Sequence, residues 1–511
     1  MIKMIDNFLN KITMYKIVLY SLVVLFFYSV ILSAFHVLPF SPYGVAFSGF
    51  FIVTVSLMFN RLFAYIYDAP TNSESVYITA LILFLLISPI TVDTSTEFFI
   101  LAFMASLFSM ASKYILAIKK KHLFNPVAIA VVLTALVLNH SASWWVATLW
   151  MMPVVIISGL LITRKTQRFD LVLSFMAVVL SVIAFRDLTS SSSVTLASSL
   201  YRAFVSSSML FFAFFMLTEP LTMPPTRMLR ITYGAIVGFL FSPMVHIGPL
   251  YSTPEIALVI GNMFSYIVSP KTKLILAIDS VSEVARDTYN FYFKKDKKLD
   301  FLPGQYMEFT LADDMADSRG NRRYFTLASS PTEEDVILGI KYYPNASSFK
   351  LKLAATDDYD HVVASQLSGE FVMPKDPKKK LVFIAGGIGV TPFRSMIKYL
   401  IDTQEKRDIV MFYSNKTKDD IAYRDVFDQA KRELGIRTIY TLTEAGQFAT
   451  RADMVNRPLD AKLISQNVSD LKERIYYISG PNSMVNAFRG VLIGLGVPRS
   501  QIKVDFFPGF A

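Results

Sequence analysis

Ten apolar stretches follow one another through the first 270 residues, and beyond Lys271 they stop. Their soft bounds are 15–35, 46–64, 76–92, 97–115, 126–140, 144–162, 170–186, 196–218, 230–246 and 254–269. An α-helix needs about 20 apolar residues to cross the roughly 30 Å hydrocarbon layer of a bilayer. Several stretches are shorter, as in broken or partly crossing helices. The first, Ile17 to Phe35, is long and has further spans behind it, so it reads as a first helix and not as a cleaved leader. The remaining residues alternate strand-like segments, turns and charged helices. The predicted organisation is multi-domain. A polytopic α-helical membrane bundle of about ten helices occupies 1–270, an antiparallel β-barrel 271–380, and an α/β nucleotide-binding domain 381–511.

Charge supports this division. Only 18% of the residues are charged and 53% are hydrophobic, whereas soluble domains carry about 25% charge. The net charge of +10 is explained by short loops between spans, so no nucleic-acid partner is expected. With Lys3, Lys11 and Lys16 inside, alternate loops carry Arg61, then Lys119 to Lys121, then Arg164, Lys165 and Arg168, then Arg227 and Arg230, then Lys271 and Lys273. The opposite loops carry Asp93 and His140, with Arg186 as an exception. This arrangement satisfies the positive-inside rule. It predicts a multi-pass protein of the cell membrane with both termini cytoplasmic and the lipid bilayer as its surroundings.

The chain has no cysteine. Disulfides, cysteine-ligated iron–sulfur clusters, zinc–thiolate sites and a cysteine nucleophile are therefore excluded, and no metal site is expected. Haem between facing helices requires paired histidines. Of the five histidines, His36, His122, His140 and His246 fall at span ends.

Two motifs break the apolar pattern. Leu123-Phe124-Asn125-Pro126-Val127-Ala128 opens the fifth span. Thr218-Glu219-Pro220, with Thr222 and Pro224-Pro225-Thr226 beyond it, follows the eighth. Both place proline and polar groups where a helix begins or breaks, and broken membrane helices expose backbone groups that hold ligands or ions. Asn125, Thr218 and Glu219 are candidates for a membrane flavin or ion site; the alternative is an ordinary capped turn. Ten spans also divide into five plus five, an inverted five-helix repeat being one reading of the shared Ser, Ala and Pro punctuation of the third and eighth spans.

The segments NSESVYITALILFLLISP, KKKHLFNPVA and SSSMLFFAFFMLTEPLTMPPTR resemble the B subunit of the sodium-translocating NADH:quinone reductase and, equally, the D subunit of the Rnf complex. The similarity covers most of 45–268. It implies flavin held in the membrane and electrons passed along or across it. The family's S-G-A-T-type covalent FMN motif precedes the sixth span; here that loop is Asn139-His140-Ser141-Ala142-Ser143. Ser192-Ser193-Val194-Thr195 echoes the motif only in a later loop. The expectation is non-covalent FMN or riboflavin.

The soluble half carries its own signals. Pro303-Gly304-Gln305-Tyr306 turns into a strand, and Arg323-Tyr324-Phe325-Thr326 follows. An arginine suits a pyrophosphate, an aromatic ring stacks on an isoalloxazine, and the Thr326 hydroxyl suits the flavin N5 edge. Lys341 to Ser348 offers Ser347 and Ser348 to phosphate, or is a hairpin turn. Leu381–Ala385 is a continuous apolar strand, as in a buried parallel sheet. It runs into Gly386-Gly387-Ile388-Gly389-Val390-Thr391-Pro392 and a helix, the layout of a dinucleotide pyrophosphate site. Ile409–Tyr413 ends in Ser414-Asn415-Lys416, placed for the adenosine ribose or a 2′-phosphate. Ile475–Ile478 ends in Ser479-Gly480-Pro481. The chain closes on Phe506-Phe507-Pro508-Gly509-Phe510.

This order of motifs over 274–511 resembles the ferredoxin–NADP reductase family. The resemblance implies a six-stranded antiparallel FAD barrel, an NAD(P) domain, and hydride transfer from NADH or NADPH to FAD. Cofactor contacts are implied for Arg323, Tyr324, Phe325, Thr326, Ser347, Ser348, Gly386, Gly387, Gly389, Thr391, Pro392, Ser414, Lys416, Gly480 and Pro481. Thr326, Ser479 and Phe510 are implied beside the reacting atoms. Ser479 stands where the family usually has a cysteine, and Phe510 covers the flavin or, like Phe507, packs in the core. Together the halves predict a membrane flavin oxidoreductase that passes electrons to a membrane or extracytoplasmic acceptor, with or without additional redox subunits. The rival readings are a ferric-reductase or NADPH-oxidase type enzyme and a redox-coupled ion transporter.

Overall fold

The structure, a computed structural model, describes residues 5, 8–9, 12–67, 73–118, 121–189, 195–242, 245–247, 250–270, 273–311, 321–344, 346–355, 361–444 and 453–505. Lys3, Lys11, Lys119, Lys120, Ser192 to Val194, Lys271, Phe507 and Phe510, all used in the reading above, lie outside them. The chain forms two compact units, Met1–Ser269 and Pro270–Phe507.

The first unit is helical: α1 Met14–Ala34, α2 Pro42–Ile66, α3 Ser73–Leu86, α4 Ser95–Ile115, α5 Pro126–Leu138, α6 Met152–Thr166, α7 Phe169–Thr189, α8 Leu196–Val205, α9 Met209–Met216, α10 Arg227–Leu240 and α11 Pro254–Val268. Hydroxyl and amide caps set several starts. Thr13, Ser41, Asn125, Thr226 and Thr253 each accept from a backbone N–H of the first turn, satisfying donors that have no partner inside the helix. Proline stands at the beginning of α2, α5, α6 and α11, where its missing N–H loses nothing.

Length revises the expected count of spans. Among the described residues α1, α2, α4 and α7 are long and apolar enough to cross a membrane, and the pair α8 and α9, bent by 56°, makes a fifth only if taken as one span. The 14 residues of α3 and 13 of α5 reach only about 20 Å at 1.5 Å per residue.

The apolar run 144–162 is also not one helix. Residues 144–151 have no continuous helix, and α6 begins only at Met152. The reason is the early end of α3 before Pro89. Its last carbonyls need donors, and Trp145 Nε1 reaches Phe84 O at 2.7 Å, Ser143 N reaches Leu86 O at 2.9 Å and Trp144 N reaches the same oxygen at 3.2 Å. Irregular backbone is tolerated inside an apolar unit when every polar group is paired. The buried centre is formed by Thr79–Leu86 of α3 and by Met209–Leu217, which includes a π-helical turn at Phe212–Met216. Contacts pair α2 with α4 and α4 with α5; they likewise pair α7 with α10 and α10 with α11.

The second unit holds two six-stranded sheets. The first is antiparallel, with strands β1 Lys273–Ala285, β2 Thr288–Lys295, β3 Tyr306–Thr310, β4 Arg322–Thr326, β5 Val336–Lys341 and β6 His361–Ser368 in the order β4-β3-β6-β1-β2-β5. Alternate inward residues such as Leu274, Leu276, Phe291, Phe293, Met307 and Phe309 fill its core. The outer strands β4 and β5 approach where Ala328 N donates to Ile337 O at 2.8 Å. Helix α12, Ser348–Ala354, covers one end.

The second sheet is parallel: β7 Leu381–Gly386, β8 Ile409–Asn415, β9 Arg437–Leu442, β10 Met454–Val455, β11 Ile475–Ser479 and β12 Ile502–Val504, ordered β10-β9-β8-β7-β11-β12. Every residue of β7 is buried, as its unbroken apolar run requires of a central strand. Helices α13 Thr391–Thr403, α14 Arg424–Leu434, α15 Ala461–Asn467 and α16 Asn482–Gly494 accompany it. The chain leaves β7 for β8 on one side, and β11 lies on the other, so the strand order reverses beside β7. In open α/β sheets the carboxyl ends at such a point form the ligand crevice.

Candidate functional site

The glycine turn after β7 and the turn after β11 meet in that crevice. Gly387 takes φ +51° and Gly480 φ +154°. A Cβ on Gly389 would stand 2.5 Å from the Cα and N of Gly480. No larger side chain fits between the two backbones, and this close approach keeps the N-termini of α13 and α16 on one rim. Thr391 opens α13 with Pro392 next to it, and Pro481 precedes α16. Thus Gly386, Gly387, Gly389, Thr391, Pro392, Ser479, Gly480 and Pro481 converge from two separate parts of the sequence. The layout suits a pyrophosphate, which takes hydrogen bonds from free helix N–H groups.

Ser414, the residue before the end of β8, is level with Gly386 and Thr441. Lys416, just beyond, forms an ion pair with Glu444.

The Arg323 to Thr326 strand joins the same region. Tyr324 packs edge-on against Tyr306, with centroids 5.7 Å apart. Phe325 lies between Phe309 and Phe349, and the Arg323 guanidinium is 5.6 Å from the Phe349 ring centre. Phe349 belongs to α12, so β4 and the Ser347–Ser348 segment are neighbours. Ser347 accepts from Lys350 N as the α12 cap. Thr326 is buried. Two residues further on, Ala328 O accepts from Arg394 Nη1 at 3.0 Å and Ser329 O accepts from Ser395 Oγ at 2.6 Å. The end of β4 is thereby fixed to the first turns of α13, the helix that leaves the glycine turn. An Arg394–Glu333 ion pair reinforces the joint.

Asp505 adjoins the candidate site through Ser479, and the sequence reading missed it. Ser479 Oγ donates to its Oδ2 at 3.0 Å, and Asp505 N donates to Ile478 O. Burial pushes this carboxyl up to about 7, opposed by the Ser479 hydrogen bond, since low polarity disfavours the charged form. A lone acid after the short strand β12 was the only signal for it. Phe510 lies outside the described residues.

In the helical unit, Asn125 and Glu219 come together and Thr218 stands apart. Asn125 Nδ2 donates to Glu219 Oε2 at 2.9 Å, while Asn125 Oδ1 caps α5. Thr222 Oγ1 donates to the same Glu219 oxygen at 3.1 Å. Asn125 N donates to Asn262 Oδ1, and Asn262 Nδ2 donates to Tyr233 Oη. Thr218 instead bonds back to Phe214 O within its own helix. His36 and His140 follow helix ends, and His122 and His246 lie in two-residue strands between helices. Among the described residues no three His, Cys, Asp or Glu side chains are grouped to hold a metal.

Each unit matches a known family over part of its length. Residues 383–490 match the oxidoreductase NAD-binding domain, and residues 149–273 match the NQR2, RnfD, RnfE family. The chain thus joins a segment that matches the oxidoreductase NAD-binding domain to one that matches the NQR2, RnfD, RnfE family. Flavohemoprotein A of Dictyostelium discoideum is 25% identical over 244 residues, 45% of this chain and 59% of that protein. The reductase component of propane 2-monooxygenase from Mycolicibacterium goodii is 26% identical over 213 residues, 41% and 60% of the two chains. This chain therefore spans about three-fifths of the length of these relatives. Among solved structures, the FAD/NAD-binding domain of a Vibrio cholerae nitric oxide dioxygenase aligns at 16% identity and TM-score 0.41, covering 46% of this chain and 98% of that one.

Proposed function

We propose that this chain is a membrane-bound oxidoreductase that takes hydride from NADH or NADPH through FAD in residues 271–511 and delivers electrons to an acceptor in or beyond the membrane. The observation that carries the reading is the joint between Ala328–Ser329 and Arg394–Ser395. It holds the Arg323–Thr326 segment beside a glycine crevice that fits a dinucleotide. FAD, when bound, supplies the exchange between two-electron and one-electron transfer. The protein supplies positions. Arg323 and the Ser347–Ser348 segment hold phosphate, and Tyr324 and Thr326 fix the ring system. The Gly386–Thr391 turn and Gly480 admit the nucleotide pyrophosphate. Ser479 and Asp505 line the place where the nicotinamide enters, and the raised Asp505 carboxyl holds a proton there below about pH 7.

The helical unit receives the electrons. The cluster of Asn125, Glu219, Thr222 and Asn262 offers donors and a carboxylate to a non-covalent FMN, riboflavin or other acceptor. The matched contacts of α2, α4 and α5 with those of α7, α10 and α11 support an inverted repeat, and the loop charges support cytoplasmic termini. The test is NADH oxidation by the purified full chain with ferricyanide and, separately, with a short-chain quinone. Quinone turnover that falls in Glu219→Gln while ferricyanide turnover persists supports electron delivery through the helical unit; equal rates in both assays for wild type and variant count against the membrane step.

A further inference from the structure

We infer that Glu444 makes this chain selective for NADH over NADPH, an inference that rests on the nucleotide reading above. With the pyrophosphate at the glycine turn after β7, the adenosine ribose lies along the carboxyl edge of the sheet, at the end of the next strand. That strand is β8, and Lys416 follows it. The β8–β9 ladder runs Ser414 against Thr441 and Asn415 against Leu442. It then continues past both strand ends, with Thr443 N donating to Asn415 O at 3.0 Å and Glu444 N donating to Lys416 O at 2.8 Å. This backbone pairing sets Lys416 and Glu444 side by side, and Lys416 Nζ lies 3.0 Å from Glu444 Oε1.

The two side chains are 71% and 59% exposed. An ion pair so open contributes little to stability, so the fold does not require a carboxylate there. Its effect falls on what binds at the rim. A ribose 2′-hydroxyl donates readily to a carboxylate. A 2′-phosphate brings about two negative charges to a position where the cation is already engaged and a carboxylate adjoins it, and like charges at such distances repel. The loop after β8 also carries Lys418, Asp419 and Asp420, but Asp419 pairs with Arg286 and Asp420 with Lys341, so the carboxylate that bears on the 2′ position is Glu444.

The experiment measures kcat/KM for NADH and NADPH on the purified full chain with ferricyanide, in wild type, Glu444→Gln and Glu444→Gln/Lys416→Ala. The wild type is expected to favour NADH by about tenfold or more. Glu444→Gln releases Lys416 and narrows that ratio by about tenfold through KM for NADPH, and removing Lys416 as well abolishes the gain. A wild type that uses NADPH equally well or better, or an unchanged ratio in Glu444→Gln, overturns the selectivity inference alone. Failure of both nucleotides to react with the wild type overturns the nucleotide reading and this inference with it.

Discussion

Tyr423 donates its phenol to Asn290 Oδ1 across 2.6 Å, joining the start of α14 to β2, the strand beside the outer strand β5 of the neighbouring sheet. Both residues are buried. Tyr423 holds a left-handed backbone, φ +58°, and its ring takes the Arg394 guanidinium at 5.8 Å. A Cβ on Gly339 would collide with the Tyr423 hydroxyl and the Thr391 methyl, so β5 needs glycine for the tyrosine to reach Asn290. Tyr423→Phe leaves a buried amide oxygen without its donor, a loss of about 1–3 kcal/mol. The expected result is a lower melting temperature for the soluble module, read by release of flavin fluorescence on heating.

Gly389 is the contact point between the two halves of the nucleotide crevice. In Gly389→Ala the new methyl meets the Gly480 backbone and the turns must part. The Arg323–Thr326 segment is anchored to α13 at Arg394 and Ser395, beyond the turns that part. Flavin content is expected to stay near wild type while kcat/KM for NADH falls by about tenfold or more, as misplacement of a bound reactant does. Flavin stoichiometry and NADH–ferricyanide rates check both halves of the prediction.

Asp505 gives a pH dependence with a definite sign. Its carboxyl is raised from the ordinary 3.8 to about 7. Between those values the folded protein keeps a proton that the unfolded chain has released. The stability contributed by this group is therefore present at low pH and lost as pH rises toward 7. Asp505→Asn removes the titration. Melting curves at pH 5 and pH 8 are expected to differ less in the variant than in the wild type.

Asn125 serves two purposes in the helical unit, capping α5 and holding Glu219. Asn125→Ala is expected to cost about 1 kcal/mol for the cap alone. Asn125→Asp keeps a capping oxygen but sets a second carboxyl against Glu219. If the cluster receives the acceptor, both variants lower quinone turnover, with ferricyanide turnover unchanged. An effect confined to Asn125→Ala would assign the residue to folding only.

Some of this was plain in the sequence because one physical demand wrote it. Leu381–Ala385 is apolar throughout since both faces of a central parallel strand are buried, and the glycines after it have no substitute at a backbone contact. The helical stretches were also visible, since apolar surface marks them. Their lengths were not. Residues 144–151 are as apolar as a span, yet Ser143, Trp144 and Trp145 serve the carbonyls left at the end of α3, and hydrogen-bond need does not show in hydropathy. Asn125 and Glu219 stood out through the prolines beside them, but Asn262 and Tyr233 looked like ordinary residues of apolar helices. Asp505 was hidden for a similar reason: its bonds to Ser479 and Ile478 join distant segments.

The most direct measurement is an anaerobic titration of the purified, detergent-solubilised full chain with NADH. Absorbance is followed and the flavins are identified after acid release. The account predicts bound FAD that bleaches on addition of NADH, with a second, non-covalent flavin bleaching after it if the helical unit holds one. A preparation whose FAD stays oxidised with both NADH and NADPH, or whose spectrum shows a haem Soret band in place of flavin, would contradict it.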